Sequence, residues 1–165
     1  MTDLHRAFFL QDALHVAPRL LGCRLVVGDK ELIITETEAY MGESDTACHA
    51  HHGRTKRAEM LYRQGGHVYV YLCYGIHSLM NIITGAEDDP QGVLIRCCDG
   101  ANGPGKLTRS LGIDLSFNGL DILTANNIGL WKGPESAFDT APRVGIGYAS
   151  KEDQKRPWRF IRKGE

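Results

Sequence analysis

Two β-branched runs, CRLVV (residues 23–27) and ELIITETEAY (31–40), stand on either side of Gly28, Asp29 and Lys30. Runs of this kind, joined by a short glycine-containing turn, predict an antiparallel hairpin, here with a three-residue turn. The pattern then recurs. HVYVYLCYG (67–75) and SLMNIITG (78–85) predict a second strand pair turning at Tyr74 and Gly75, and GVLIRCCDG (92–100) predicts a further strand. In the tail, RVGIGYA (143–149) and WRFIR (158–162) read as short strands, after a turn marked by Asn118 and Gly119.

Helical signals are few. Residues 12–22 predict a short helix capped by Asp12 and stopped at Gly22, with Pro18 kinking it or moving its start. GPGKLTRSLGID (103–114) opens a second, with Pro104 in the first turn and Gly112 near the end. Many short strands around few helices imply an α+β fold: a single mixed domain over residues 1–165 with a curved, largely antiparallel β-sheet and a few peripheral helices. No repeat or long linker divides the chain. At 165 residues and 42% hydrophobic composition, such a domain buries about 70% of its unfolded surface.

The first twenty residues carry His5, Arg6, Asp12, His15 and Arg19, so they contain no signal peptide or membrane span, and a soluble intracellular protein is expected. Five cysteines without CxxC spacing argue against a disulfide framework and against a zinc ribbon; reduced, mostly buried thiols are expected. The cluster CHAHH (48–52) has metal-type ligands, but its spacing matches no common zinc pattern. No metal or other cofactor is expected. A net charge of −1 gives no global nucleic-acid signal, which leaves that case to local patches.

Alternation along ETEAY puts Glu36, Glu38 and Tyr40 on one face of a strand. Such a face is either the wet side of a hairpin or a site, and the long polar segment 41–66 that follows, with some helix near 58–62, favours a site. Tyr69 and Tyr71 share a face of the next strand pair, and Tyr74 stands at its tip, where an aromatic can either pack amphipathically or wedge between base pairs. Arg96 interrupts an apolar strand, so it snorkels at an edge or meets a fixed acceptor. Asn81 interrupts another and needs partners from a neighbouring strand or from a ligand. Arg54, Lys56, Arg57, Arg63 and a basic tail could lie on phosphates or be ordinary solvated charge.

Taken in order, LLG (20–22), ETEAYMG (36–42), CHAHHGRTKR (48–57), YVYLCYG (69–75), MNI (80–82), GVLIR (92–96), GPGKL (103–107) and RVGIG (143–147) resemble the alkyladenine (3-methyladenine) DNA glycosylase family over nearly the whole chain. The resemblance implies that Glu38 is the general base and that Tyr40 and Tyr71 pack on either side of a flipped base. It implies that His49 contacts that base and helps place the water together with Arg96, and that Asn81 screens purines by their exocyclic groups. Tyr74 matches the aromatic wedge, with Arg54, Lys56, Arg57 and Lys106 as candidate DNA contacts. It implies a monomer acting on duplex DNA containing damaged purines, without metal or membrane. Two departures stand out: RTKRA (54–58) where the family often has RTPRN, and Pro18 inside the first helix.

The chemistry expected is hydrolysis of the N-glycosidic bond of an alkylated or deaminated purine by a Glu38-activated water. Nothing marks Lys106 as a Schiff-base nucleophile, so no strand cleavage is expected. Three rivals make different predictions. A two-carboxylate nucleoside or glycoside hydrolase using Glu36 and Glu38 would act without duplex DNA, a metal hydrolase at CHAHH would need zinc, and a damage-recognition module would release no base.

Overall fold

A computed structural model describes residues 2–164 of the chain. Its spine is an eleven-residue strand, β2 (Lys30–Tyr40), and the other strands are arranged around it. With β1 (Arg24–Val27), β3 (Val68–Cys73), β4 (His77–Thr84), β5 (Gln91–Cys98), β6 (Ile128–Trp131), β7 (Phe138–Ala141) and β8 (Arg159–Arg162), it forms an eight-stranded sheet. The strand order is β3-β4-β5-β2-β1-β6, with β8 beside the second half of β2 and β7 beside β8, and every pairing is antiparallel. With four short helices around it, the fold is α+β.

The first hairpin is tighter than its sequence suggests. Val27 pairs with Lys30, which leaves Gly28 and Asp29 as a two-residue turn, Gly28 at φ 61°. Lys30 belongs to the strand. The second hairpin does carry three residues, Tyr74 to Ile76, between the paired Cys73 and His77, and Tyr74 itself takes φ 53°. Positive φ at a bulky residue is unusual and turns its side chain out of the sheet.

Helix α1 spans Arg6–Phe9, and α2 spans Ala13–Arg19, burying Ala13, Val16 and Ala17 at helical spacing against β2. Pro18 lies in the last turn of α2, where its missing N–H affects one hydrogen bond of a helix that ends at once. Asp12 sits at the N-cap position without capping. Instead Gln91 of β5 accepts from the Ala13 N–H at 2.8 Å and donates to Asp12 at 3.2 Å, so the start of α2 is fixed by the sheet. Helix α3 (Pro104–Leu111) begins at Pro104 and ends on Gly112 in the left-handed region, packing Leu107, Thr108 and Leu111 onto the sheet. Its Thr108 hydroxyl donates to the Ser78 carbonyl of β4.

Residues 143–149 depart from expectation. They form no strand but an irregular segment before α4 (Lys151–Lys155), and the Val144 N–H points at a carboxylate rather than at a strand ladder. The long polar segment 41–66 holds two 3-10 turns, His49–His52 and Glu59–Tyr62. Its start is pinned where Gly42, at φ 92°, passes the Pro90 carbonyl so closely that a Cβ would lie 2.5 Å from the oxygen. The five cysteines are free, with Cys23, Cys48 and Cys98 buried.

Candidate active site

Two opposed irregularities in the β2–β5 pairing shape the site. Ile34 pairs with Cys98 and Glu36 with Cys97, so β2 has an extra residue; Glu36 pairs with Cys97 and Thr37 with Ile95, so β5 has an extra residue, Arg96. Where two residues oppose one, the bulged strand bends and re-aims its side chains. Both Arg96 and Cys97 thereby reach the Glu36 carboxylate, Arg96 Nε at 3.3 Å and Cys97 Sγ at 3.2 Å. Arg159 of β8 donates to the other Glu36 oxygen at 2.8 Å.

Glu36, Glu38 and Tyr40 do share a face, yet it is not a wet one. The Glu38 side chain is fully buried. Its Oε1 accepts from the Tyr40 hydroxyl at 2.8 Å, its Oε2 accepts from the Val144 N–H at 2.8 Å, and Arg96 Nε stands off at 3.8 Å. Burial raises the Glu38 carboxyl above its ordinary pKa of 4.5, against the pull of the Val144 and Tyr40 hydrogen bonds and the Arg96 charge. Burial, then the neighbouring carboxylate, raises the Tyr40 hydroxyl well above its ordinary value, so it remains a donor.

In front of Tyr40 lies a narrow cleft of about 340 Å³ counting its open mouth, lined by Tyr40, His49, Tyr69, Tyr71, Asn81 and Tyr148 among others. Glu38 is not in its wall and is joined to it through the Tyr40 hydroxyl. The His49 ring meets Tyr71 edge-on at 4.6 Å between centroids, and Tyr69 and Tyr71 lie 5.3 Å apart. His49 Nδ1 is 2.9 Å from the Tyr69 hydroxyl, which also reaches the Arg57 carbonyl at 3.3 Å. Burial, with the Arg57 charge behind it, pushes the imidazole down to about 4, which makes it neutral near pH 7. Burial likewise pushes Tyr69 up to about 12. Asn81 is buried and donates to the Tyr69 carbonyl across the β3–β4 pair at 3.3 Å.

The candidate DNA contacts lie on the surface in three different situations. Tyr74 is 92% exposed at the hairpin tip, beside an exposed Ile76. Lys56 and Lys106 are exposed, and Arg57 is exposed with its guanidinium 5.5 Å from the Tyr71 ring centre. Arg54 is different: it is tied to Glu59 within its own segment and, at 2.7 Å, to Asp88 of the β4–β5 connection. Among the described residues no three His, Cys, Asp or Glu side chains come together as a metal site; His51 of CHAHH bonds the Glu43 carbonyl.

Sequence reasoning missed the supports. Arg143, 5% exposed, forks onto both oxygens of buried Asp45 at 2.6 and 2.9 Å, donates to the Ala39 carbonyl and stacks 4.8 Å from the Tyr40 ring centre. It thus fixes the ring whose hydroxyl bonds Glu38. The RVGIG motif was visible, but a backbone N–H such as that of Val144 has no side-chain signature to read. Arg159 was masked as one of several tail cations.

A family model described as methylpurine-DNA glycosylase matches residues 7–100 and 98–165. The chain belongs to this family. Relatives carrying the name "Putative 3-methyladenine DNA glycosylase" include one from Borreliella afzelii, 43% identical over 98% of this chain and 96% of the relative. Another, from Nitrosococcus oceani, is 42% identical over 97% and 90%, and a third, from Rickettsia rickettsii, is 37% identical over 98% and 90%. Membership of the methylpurine-DNA glycosylase family thus covers both halves of the site: β2, which carries Glu38, and the 143–149 segment, which donates to it. No helix among the described residues is long and apolar enough to cross a membrane.

Proposed function

We propose that the chain removes alkylated or deaminated purines from duplex DNA by hydrolysing the N-glycosidic bond, with Glu38 as the base that activates water. The observation that carries this reading is the state of Glu38: a fully buried carboxylate, hydrogen-bonded by two neutral donors, joined through Tyr40 to an aromatic cleft and raised in proton affinity. A group of that kind suits general-base work near neutral pH.

A purine alkylated on its ring carries positive charge, so the C1′–N9 bond breaks with its electron pair leaving on the base, which departs neutral. The sugar develops oxocarbenium character. Water adds to C1′ and gives its proton to Glu38, whose negative charge also stabilises the developing cation. Arg96 keeps 21% side-chain exposure and links the carboxylate to the surface from which water arrives. Reaching the bond requires the nucleotide to leave the stack. The exposed Tyr74 fills the gap in the duplex, while Tyr40, His49, Tyr71 and Asn81 hold the base; Lys56, Arg57 and Lys106 meet phosphates, and Arg54 joins them only by giving up Glu59 or Asp88. The protein acts as a monomer and leaves an abasic site without cutting the strand.

Glu36 is poorly placed as the second acid of a two-carboxylate hydrolase, because both of its oxygens are engaged, one by Arg159 and the other by Arg96 and the Cys97 thiol. Single-turnover release of base from methylated duplex DNA tests the assignment. Glu38→Gln should slow it by about 10²–10⁴-fold while still binding the duplex; a variant at the wild-type rate removes Glu38 from the role. Tyr74→Ser should weaken lesion-duplex binding by about tenfold with the chemical step little changed once bound. Equal affinity for the lesion duplex in variant and wild type would take Tyr74 out of the duplex.

A further inference from the structure

Four charged groups run in a row across β8, β2 and β5: Arg159, Glu36, Arg96 and Glu38. The row is uneven. Glu36 has a guanidinium on each side, at 2.8 and 3.3 Å, with the Cys97 thiol donating to the same oxygen that faces Arg96. Glu38 has the same Arg96 Nε, at 3.8 Å, and two neutral donors. Arg96 Nε is buried and makes no well-aligned hydrogen bond, so its charge is shared between the two carboxylates rather than committed to one.

We infer that Glu36 is a positioning residue for the reaction: by competing for Arg96 it leaves Glu38 the less neutralised carboxylate, and therefore the base. The inference rests on the reading of Glu38 as general base. The β5 bulge at Arg96 serves this arrangement, since it sets Arg96 and Cys97 together against Glu36. Without a negative charge at position 36, Arg96 would be free to close on Glu38 and stabilise its ionised form. Without Arg159, Glu36 would draw Arg96 more fully and leave Glu38 with less positive charge near it. The two changes push the same group in opposite directions.

The other ionisable groups around Glu38 are Tyr40 on its own strand, Arg143 and Tyr148 from the 143–149 segment, and Tyr71 and His49 beyond Tyr40. None is hydrogen-bonded or ion-paired to Glu36 in the described structure, so a substitution at 36 leaves their bonds in place, whereas Arg159 Nε also donates to the Pro142 carbonyl at 2.8 Å and so holds the start of the 143–149 segment.

The test is the acid limb of the pH–rate profile for single-turnover base release from methylated duplex DNA. Glu36→Gln should move its midpoint down by about one pH unit, Glu36→Asp should hold it near wild type, and Arg159→Gln should move it up. A merely structural Glu36 would change the rate or the melting temperature without moving the midpoint. If Glu36→Gln fails to fold, Arg159→Gln carries the test beside Arg159→Lys, which keeps the charge without the guanidinium bond to Pro142 and should hold the midpoint near wild type; a midpoint that rises equally in both overturns the role of Glu36. Midpoints for Glu36→Gln and Arg159→Gln that coincide with wild type, while Glu38→Gln is inactive, overturn the role of Glu36 and leave Glu38 as base. An active Glu38→Gln overturns both.

Discussion

Asp45 and Glu38 are sealed from solvent in the same part of the molecule, yet their carboxylates meet opposite surroundings. Asp45 accepts from the Met41 and Ala47 N–H groups and from both terminal nitrogens of Arg143, so four donors and a full positive charge balance it. Glu38 has two neutral donors and a guanidinium at 3.8 Å that also serves Glu36. A buried charge that is fully paired is inert scaffold; one whose desolvation is left partly uncompensated keeps an appetite for a proton. The difference lies in the distribution of arginines, and the same Arg143 that quiets Asp45 also stacks on the Tyr40 ring whose hydroxyl bonds Glu38.

Removing the partner should therefore hurt far more at the scaffold than removing the charge at the site. Arg143→Met strands Asp45 in the interior and should lower the unfolding free energy by about 3–5 kcal/mol in urea titrations. For Glu38→Gln the sign reverses. Because the folded-state pKa of Glu38 lies above its ordinary 4.5, the stability linked to its protonated form is complete below about 4.5 and is lost as pH rises through the raised value. Glutamine does not titrate, so the variant should match or exceed wild-type stability at about pH 8, and the margin should close at about pH 4. A loss at Glu38→Gln as large as at Arg143→Met would break the contrast between the two carboxylates.

Much of this was legible in the chain because the informative residues lie on strands. The period-two pattern of ETEAY put Glu36, Glu38 and Tyr40 on one face, and β-branched runs marked β2 to β5. What alternation could not show was burial: a polar face and a buried polar site have the same pattern until the covering segment is placed. That segment, 143–149, reads as a strand from its Val and Ile, but its hydrogen bonds go to Glu38 and to the loop start, and no ladder forms. Strands β6 (IGLW) and β7 (FDTA) carry no alternation to read, since β6 is buried at three successive residues and β7 is exposed at three. The bulge at Arg96 depends on the pairing register, which is a property of two strands and invisible in either alone.

His49 gives the contrast its finest test, because its half-buried imidazole lies in the cleft wall against Tyr69 and Tyr71. A cleft for a cationic base gains from neutral aromatic faces and loses from a fixed positive charge. The imidazole meets that condition by staying neutral, with its pKa pushed down to about 4 by burial and by Arg57. The unfolded chain takes up this proton first, so the linked stability is complete above about 6.5 and drains away as pH falls toward about 4. In an NMR titration of the imidazole carbons, His49 should remain neutral to near pH 4. The acid limb of base release should then belong to Glu38 alone and vanish with it. If His49 instead titrated near 6.5, an imidazolium would face the bound base through the lower physiological range. The cleft would then be tuned against the cationic purines proposed as its substrates.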